Sequence, residues 1–585
     1  MKRIAAFCLL LCFLIPSLFA CGNTFGTRGD ELARQTRTTT ETSPAGTTAD
    51  ASATTVHATA GTATAPDPTK TTGTDDATAT DRWDPVAGAL SGLDEEYRTI
   101  RIEVDTSETV WSDVRAAELL TGPDALTPTT PAASRLIYER NRAIEERLGI
   151  TVRYAYRNDA CGEQAAQIVA LLNGGAADAP DLFVDALSDL VRAAFQGCFA
   201  DVLNLPGSYL DLGADGWMTD FISGASLSHD RAYLLAGDAF PDLYRGTTVL
   251  PFNTAILDGE CDRLSSAILG NGETLPAGEK LSARFFDLVA AGKWTYDTLA
   301  ALSAAVWIDC GKTADRDDTG DLLGVVYDVA PDTASGAFLA GCGTDYLIET
   351  TAEDTGRVVL TYRADAGSLG ALFDAAASLT AGSGTLVTAG GFNEAAGEPG
   401  FATHRDLFRR GYTLFAGPVP LGTLGLAEYR GMTDPVSVVP TPKLRESDRY
   451  VSRVSPDADA GAIRRTTAVF PAVTAYLEYC AENSRGAVDA YLSYLTKTDT
   501  APNAGTDAML SLILGSVSSG IGGILDRMVS GNGAPTWNTL LESDAFLSSS
   551  AKFAPAYADA IKNKQERLNQ LLDAWYGLPR GGATE

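Results

Sequence analysis

The chain has 585 residues, of which 45% are hydrophobic and 21% are charged, so it can bury a large core. Its formal net charge of -30 argues against nucleic acid or an anionic lipid surface as a partner, because both attract a basic face. The length exceeds what one hydrophobic core usually serves and therefore predicts two or more lobes.

The N-terminus has the pattern of a secretory signal peptide, residues 1–20. Two basic residues precede an apolar run, 4–15, that is too short for a stable membrane span. A small residue stands directly before Cys21, and the segment 18–21 resembles the bacterial lipobox, although bulky Phe19 occupies a position where a small residue is usual. The resemblance implies cleavage before Cys21, an acyl lipid such as palmitate on its thiol, and a location on the extracellular side of the cell membrane. An ordinary secretory signal followed by a chance cysteine is the alternative.

Residues 21–82 are predicted to form a lipid-anchored, disordered tether. Thr, Ala, Ser, Gly and Asp dominate this segment, which has too few large apolar side chains to offset the entropy of the chain. A flexible coil of roughly 60 residues has a typical end-to-end distance of about 40 Å. Such a coil can hold a folded body, residues 83–585, clear of the lipid headgroups.

Beyond the tether the pattern changes to alternating strands and helices. Residues 132–148 carry apolar side chains on one face and charges on the other, and Gly149 follows as a C-terminal cap. The first predicted elements are a strand at 97–104, this helix, a strand at 150–156, a helix at 163–173 and a short buried strand at 180–185. Alternation of this kind predicts an α/β architecture with a largely parallel sheet.

Cysteine and histidine counts exclude several chemistries. Beyond Cys21 there are six widely spaced cysteines, among which only Cys161 and Cys198 are candidates for a disulfide; the others are predicted to be small core residues. His229 and His404 stand alone, so a zinc site or a Ser-His-Asp triad is not predicted. No phosphate-binding glycine motif was found either. The sequence therefore predicts no cofactor and no metal.

One acidic turn, Asp315–Asp321, leaves an alternative open. Oxygen-bearing side chains at its first, third and fifth positions precede Gly320, as in a calcium loop. The twelfth position is Val326, so the bidentate carboxylate of such a loop is missing. We interpret the segment as an acidic turn, with calcium binding as the alternative.

Six segments within about 95–500 share features of one known family and follow one another in its order: 137–152, 180–206, 250–254, 292–299, 411–417 and 436–443. Together they resemble an extracellular solute-binding protein of a bacterial ABC transporter, in the sugar-binding family that includes maltose-binding proteins. The resemblance implies a type II periplasmic-binding-protein-like fold, in which two α/β lobes are joined by hinge strands with a ligand cleft between them. It places the lobe crossings near 247–255 and 411–443. The segment 345–400 carries no landmark of that family.

Candidate ligand-binding residues follow from this implied fold. Asp185 follows a buried strand, and ligands of open α/β sheets bind at the carboxyl ends of strands. Its carboxylate suits sugar hydroxyls, although it could instead cap the next helix. The other candidates are aromatic platforms and hinge-side polar or aromatic groups: Trp217, Trp307, Tyr244, Asn253, Phe415 and Tyr429. A surface anchor is the alternative for Trp217, core packing is the alternative for Trp307, and the last four depend on the family topology.

The function implied is a lipid-anchored binding component of an ABC importer. It would capture a sugar or oligosaccharide, deliver it to a membrane permease and catalyse no reaction; peptides and other polar solutes are also compatible with related folds. Two alternatives remain, a surface glycoside hydrolase or peptidase with a pair of carboxylates, and an adhesin or structural lipoprotein of the same fold.

Overall fold

Two β-sheets, each covered by helices, organise the protein in the computed structural model. The structure describes residues 81–106, 116–158, 164–175, 178–270, 272–310, 321–328, 347–353, 355–363, 366–388, 404–496, 504–530 and 550–578. Contacts divide the chain into Met1–Ala79 and Thr80–Glu585. The first unit lies outside the described residues, and with it Cys21 and most of the predicted tether.

Strands and helices alternate through much of the described chain. The strands are β1 Thr99–Asp105, β2 Thr151–Arg157, β3 Leu182–Ala186, β4 Thr248–Asn253, β5 Leu323–Asp328, β6 Leu347–Thr351, β7 Val358–Tyr362, β8 Thr385–Thr388, β9 Thr413–Ala416, β10 Val419–Pro420, β11 Val436–Val439, β12 Ser452–Arg453, β13 Asp459–Ile463 and β14 Val517–Ser518. The helices are α1 Trp83–Ser91, α2 Ala116–Thr121, α3 Ala132–Leu148, α4 Gln164–Asn173, α5 Leu187–Ala194, α6 Thr219–Ala225, α7 Asp242–Arg245, α8 Thr254–Gly259, α9 Cys261–Leu269, α10 Leu281–Ala290, α11 Tyr296–Val306, α12 Ala366–Ala381, α13 His404–Arg409, α14 Ala427–Arg430, α15 Phe470–Asn483, α16 Arg485–Thr496, α17 Ala504–Leu514, α18 Ile521–Val529 and α19 Ser550–Gly577.

The first sheet has the order β13-β3-β1-β2. Strands β1, β2 and β3 are parallel, whereas β13 runs antiparallel to β3. Every residue of β3 is buried, as expected of a central strand covered on both faces. The predicted parallel sheet at the start of the body is thus confirmed, and the antiparallel edge strand is an addition from far along the chain.

The helix predicted between the first two strands formed as expected. Helix α3 has the predicted bounds, and its apolar face, Ile137, Ile144 and Leu148, is buried. Gly149 adopts a left-handed conformation, with a φ of 64°, and donates its N–H to the Glu145 carbonyl. Only glycine takes this conformation without a steric penalty, which is why the helix ends there.

The amino end of β3 is held by Asp181. Its buried carboxylate accepts hydrogen bonds from the Arg101 N–H at 2.9 Å, the Arg464 guanidinium at 2.7 Å and the Thr467 hydroxyl at 2.6 Å. These donors come from β1 and from the chain just after β13. One carboxylate therefore ties three strands together at this end of the sheet.

The second sheet is built from residues that lie between β3 and β13 in the sequence. Its order is β10-β4-β9-β5-β8, and β11 also pairs with β4. Strand β5 is parallel to β8 and β9, and β4 is antiparallel to β9. An aromatic cluster fills the core beside it, in which ring contacts link Phe252, Phe285, Trp294 and Phe415.

The chain passes between the two sheets more than once. It first leaves at 246–248, where Thr247 bridges Val454 and the Ser455 N–H bonds to the Gly246 carbonyl at 2.8 Å. It returns between β11 and β13, which is later than the predicted crossing at 411–443 because β9, β10 and β11 all belong to the second sheet. Helix α16 then packs on α3, α17 packs on β11, and α18 packs on α5. The two α/β sheets with several crossings agree with the architecture that the sequence resemblance implied.

The apolar stretch at residues 510–525 is divided among short elements. It begins in α17, continues through β14 and ends in α18. Within the described part of the chain, we find no helix with the length and hydrophobicity needed to cross a membrane.

Replacing Gly461 should destabilise the first sheet. A Cβ on Gly461 would lie 2.1 Å from the Phe240 ring, which is buried, so Gly461→Ala forces a rearrangement of the core. We expect the free energy of unfolding to fall by about 1–3 kcal/mol in denaturant titrations. The control is Gly88→Ala in α1, where a Cβ meets nothing within 4 Å and a helical alanine should be neutral or stabilising. Equal effects of the two substitutions would contradict the packing described for β13.

Candidate functional site

Charged side chains form a row at the carboxyl ends of the three parallel strands. Asp105, the last residue of β1, is opposite Arg157 at the end of β2. Asp185 in β3 lies one position beyond the paired Val104 and Val184, and therefore next to Asp105. The chain runs from β1 to β2 on one side and then crosses to β3 on the other, so the strand order reverses at β1. This reversal is where open α/β sheets bind ligands.

Helix α7 and strand β13 bring further charges to the same place. Arg245 forms an ion pair with Asp242, and the Asp242 carboxylate also accepts the Asp459 N–H at 2.7 Å. All three side chains are buried. Beside the row of strand ends, Glu103 forms an ion pair with Arg157. We call the whole set the strand-end cluster; it consists of Glu103, Asp105, Arg157, Asp185, Asp242, Arg245 and Asp459.

Burial makes three carboxyl groups of this cluster, those of Asp185, Asp242 and Asp459, hard to ionise. Desolvation raises the pKa of Asp185 well above its ordinary value, and the negative charges of Asp105 and Asp189 add to the effect. The pKa of Asp459 is raised well above its ordinary value by desolvation and then by Asp242. Desolvation also raises the pKa of Asp242, although Arg245 opposes the shift. The cluster therefore contains carboxyl groups whose charge the protein itself does not fully offset.

Asp185 is the predicted site residue that lies in this cluster. Helix-capping, its alternative role, is not what the geometry shows. Helix α5 begins after Ala186, which is its cap residue, and no side chain caps that end. The Asp185 carboxylate instead accepts the Ala186 N–H at 2.7 Å. Its side chain is 2% exposed.

Trp217 and Tyr244 are both buried. The Trp217 indole donates to the buried Glu478 carboxylate at 2.9 Å, and that carboxylate also accepts the Asp211 N–H. Tyr244 precedes Arg245 of the cluster, but its hydroxyl donates to Asp238. The Tyr244 side chain also lines a groove of about 580 Å³ between α16 and α17.

The other predicted residues lie in the packing of the second sheet. The Asn253 amide caps α8, accepting the Ile256 N–H at 3.0 Å and donating to Asp434 at 2.8 Å. Phe415 has no exposed surface and stacks on Trp294. Tyr429 packs on Phe408, and half-buried Trp307 packs on Leu323, Val326 and Leu407. The structure does not bring these residues to the strand-end cluster, and their role in ligand binding stays a prediction.

Sequence reasoning missed most of the cluster. A signal existed for Asp105 and Arg157, since each directly follows a predicted strand as Asp185 follows its own. Asp459 and Asp242 carried no comparable signal, because they reach the cluster through an antiparallel strand and a short helix that local patterns do not connect to β3.

Some predictions fall on residues that the structure does not describe. They include Cys21, Cys161 and most of the Asp315–Asp321 turn, so the lipid on Cys21 and the calcium alternative stay predictions. Cys198 is half-buried and is a free cysteine in the structure, which disfavours the candidate disulfide with Cys161. The Asp321 carboxylate is described and accepts the Cys310 N–H at 2.8 Å. In the described ranges, no group of three or more His, Cys, Asp or Glu side chains is arranged to hold a metal ion.

Comparisons with known proteins find likeness only among solved structures. No family model and no curated protein matches the chain. The GacH receptor of Streptomyces glaucescens, solved with acarbose, is 15% identical, with 81% of this chain and 98% of that one covered at a TM-score of 0.43. The maltose-binding protein MalE of Listeria monocytogenes is 14% identical, with 81% and 99% covered at a TM-score of 0.46. The galacto-N-biose-/lacto-N-biose I-binding protein of a Bifidobacterium longum ABC transporter is 13% identical, with 83% and 98% covered at a TM-score of 0.44.

These structures belong to the class of protein that the sequence segments resemble. The candidate site itself rests on the strand register, burial and charge of this chain's own residues.

The buried carboxyl groups predict an unusual dependence of stability on pH. Because the pKa of Asp459 is higher in the folded than in the unfolded chain, the folded state binds more protons in the window above the ordinary value of 3.8. Stability should then rise as pH falls towards that ordinary value, by at most about 1.4 kcal/mol per pH unit for each proton. Denaturant titrations across this range should show a smaller slope for Asp459→Asn than for the wild type. The control Asp94→Asn, at an exposed position, should keep the wild-type slope. An unchanged slope in Asp459→Asn would mean that this carboxyl group is ionised normally.

Proposed function

We propose that this protein is an extracellular solute-binding protein that captures a sugar or oligosaccharide at the strand-end cluster. The observation that carries the proposal is the row of Asp105, Arg157 and Asp185 at the point where the strand order of the first sheet reverses. In open α/β sheets, the point where the strand order reverses offers the ends of several strands to one ligand. The segments that match sugar-binding proteins of ABC transporters, in the same order along the chain, support the same function.

The chemistry of the row suits a polyhydroxylated solute. Carboxylate oxygens accept hydrogen bonds from hydroxyl groups, and the Arg157 guanidinium donates in a plane. A hydrogen bond to a charged group contributes about 1.5–3 kcal/mol, more than a neutral one. Because Asp105 and Asp185 are buried, their bonds to a ligand would form away from competing water.

The sheet crossings give this site a means of closing over its ligand. Arg245 is followed directly by the first crossing at 246–248, and Asp459 directly follows the return from the second sheet. A ligand bound at the cluster would thus lie beside the segments about which the two sheets can move. Ligand that contacts both sides only when they are closed shifts the population towards the closed state.

Delivery to the cell completes the proposal. A lipid on Cys21 would hold the protein at the extracellular face of the cell membrane, and the tether at 21–82 would let the body reach an ABC permease. In this function the protein releases its solute unchanged and needs no cofactor.

One observation favours an enzyme as a second candidate. A buried carboxyl group with a raised pKa, Asp185, beside a second carboxylate, Asp105, is the pairing that a glycoside hydrolase uses as acid and base. The two functions differ in the fate of the sugar, which a binding protein returns intact and a hydrolase cleaves.

Sugar binding is testable by calorimetry on the chain from residue 22, with a panel of mono- and oligosaccharides. We expect saturable binding of one sugar class, a rise in melting temperature by mass action, and an unchanged sugar on chromatography. Asp185→Asn should weaken binding by about 10- to 100-fold, the value of one charged hydrogen bond. The exposed Asp94→Asn should bind like the wild type.

Two results would count against this proposal. Cleavage of the bound sugar would establish the hydrolase instead. Equal affinities of Asp185→Asn and the wild type for a sugar that does bind would place the binding site elsewhere.

A further inference from the structure

The strand-end cluster holds more acidic than basic side chains. Its carboxylates outnumber its guanidinium groups, and both guanidinium groups already have an acidic partner: Arg157 pairs with Glu103, and Arg245 pairs with Asp242. The neighbouring Asp189 lies 3.7 Å from Arg192. Among the described residues, the arginines in and beside the cluster are therefore already paired with acidic side chains.

Asp459 is the least compensated member of the cluster. It is 3% exposed, and its Oδ2 atom has no hydrogen-bond partner among the described residues. In the register of β3 and β13, Asp459 pairs with Ala186, the residue next to Asp185. It also experiences the charges of Asp105 and Asp185. The buried Asp459 Oδ2 atom could therefore accept a hydrogen bond from a ligand.

Asp185 is in a similar position. Its carboxylate accepts the N–H of the following residue, and it takes part in no ion pair among the described residues. Burying a carboxylate without a cation costs several kcal/mol, so such a group either takes up a proton or meets a charged partner. A neutral sugar would donate hydroxyl hydrogens to these carboxylates but would leave the excess charge in place.

We propose that the solute of this protein carries a protonated amino group, as an amino sugar does, and that Asp185 and Asp459 receive it. This inference rests on the proposed sugar-binding function and narrows its ligand to a cationic class. An ammonium group donates three hydrogen bonds and supplies the positive charge that the cluster lacks. The hydroxyl groups of the same ligand would bond to the remaining acceptors along the strand ends.

A matched series of ligands tests the inference without changing the protein. Glucosamine, N-acetylglucosamine and glucose share one ring and differ at a single position, which carries an ammonium, a neutral amide or a hydroxyl group. The three sugars and their β-1,4-linked dimers are titrated calorimetrically into the chain from residue 22 at pH 7. We expect the aminated members to bind at least 10-fold more tightly than both neutral counterparts, with an advantage that falls as salt is added.

Variants then locate the ammonium group. Asp459→Asn and Asp185→Asn should each reduce the advantage of the aminated sugar by about 10-fold or more and change the affinity of the neutral sugar much less. Asp94→Asn, exposed and outside the cluster, should keep the full advantage. Melting temperatures without ligand show whether each variant is folded, and either of the two cluster variants suffices for the test.

The outcomes separate this inference from the function on which it rests. Equal binding of aminated and neutral sugars would overturn the cationic ligand and leave sugar binding intact. No binding of any sugar would overturn both proposals. A rise in melting temperature with calcium but not with the aminated sugars would assign the excess charge to a metal ion and overturn the inference.

Discussion

The contacts of Asp181 hold the first sheet together across a long stretch of sequence. Its carboxylate accepts hydrogen bonds from the start of the body and from residues 283 and 286 positions further along the chain. This link helps to hold β13 beside β3 after the second sheet. The pairing of β13 with β3 places Asp459 at the candidate site. The bridge between Thr247 and Val454, which joins the two crossing segments, also depends on this pairing.

The two ends of β3 show how differently one protein treats two buried aspartates. At the amino end, the charge of Asp181 is offset by a guanidinium group, a hydroxyl and a backbone N–H, which is how a structural carboxylate is stabilised. At the carboxyl end, Asp185 accepts the N–H of its neighbour, and the nearest charges that shift its pKa are mostly negative. Strand geometry is the same at both ends, so the difference lies in the surroundings. A buried carboxyl group whose charge is only partly offset, at the ligand-binding end of a sheet, distinguishes a candidate site from an ordinary buried polar group.

Local patterns predicted the first half of the first sheet well, because its signals are local. The amphipathic face of α3, its glycine cap and the alternation in β1 are properties of adjacent residues. The identity of the strand at the other edge could not be predicted in the same way, since β13 has the sequence Asp-Ala-Gly-Ala-Ile and resembles a loop. Its place in the sheet is decided by Phe240, which packs on Gly461, and by the Asp181 contacts.

The same distinction explains the predicted site residues. Asp185 could be found because the end of a strand is visible in the sequence. Phe415 and Trp217, in contrast, are aromatic residues whose partners, Trp294 and Glu478, come from distant segments. An aromatic residue that contacts a ligand and one that packs in a core can have the same local sequence. Only their packing partners distinguish them.

The insertion of the second sheet between β3 and β13 also has a consequence for how the chain reaches its folded state. Bringing Asp181 and Arg464 together across 283 residues of unstructured chain would cost about 5 kcal/mol of chain entropy. If the second sheet folds first, its crossings bring the two ends of that loop close together and remove much of this cost. The β3–β13 pairing would then form late, and long-range pairings of this kind slow folding. The carboxylates of the strand-end cluster would accordingly stay hydrated through most of folding and lose their water only in the last step.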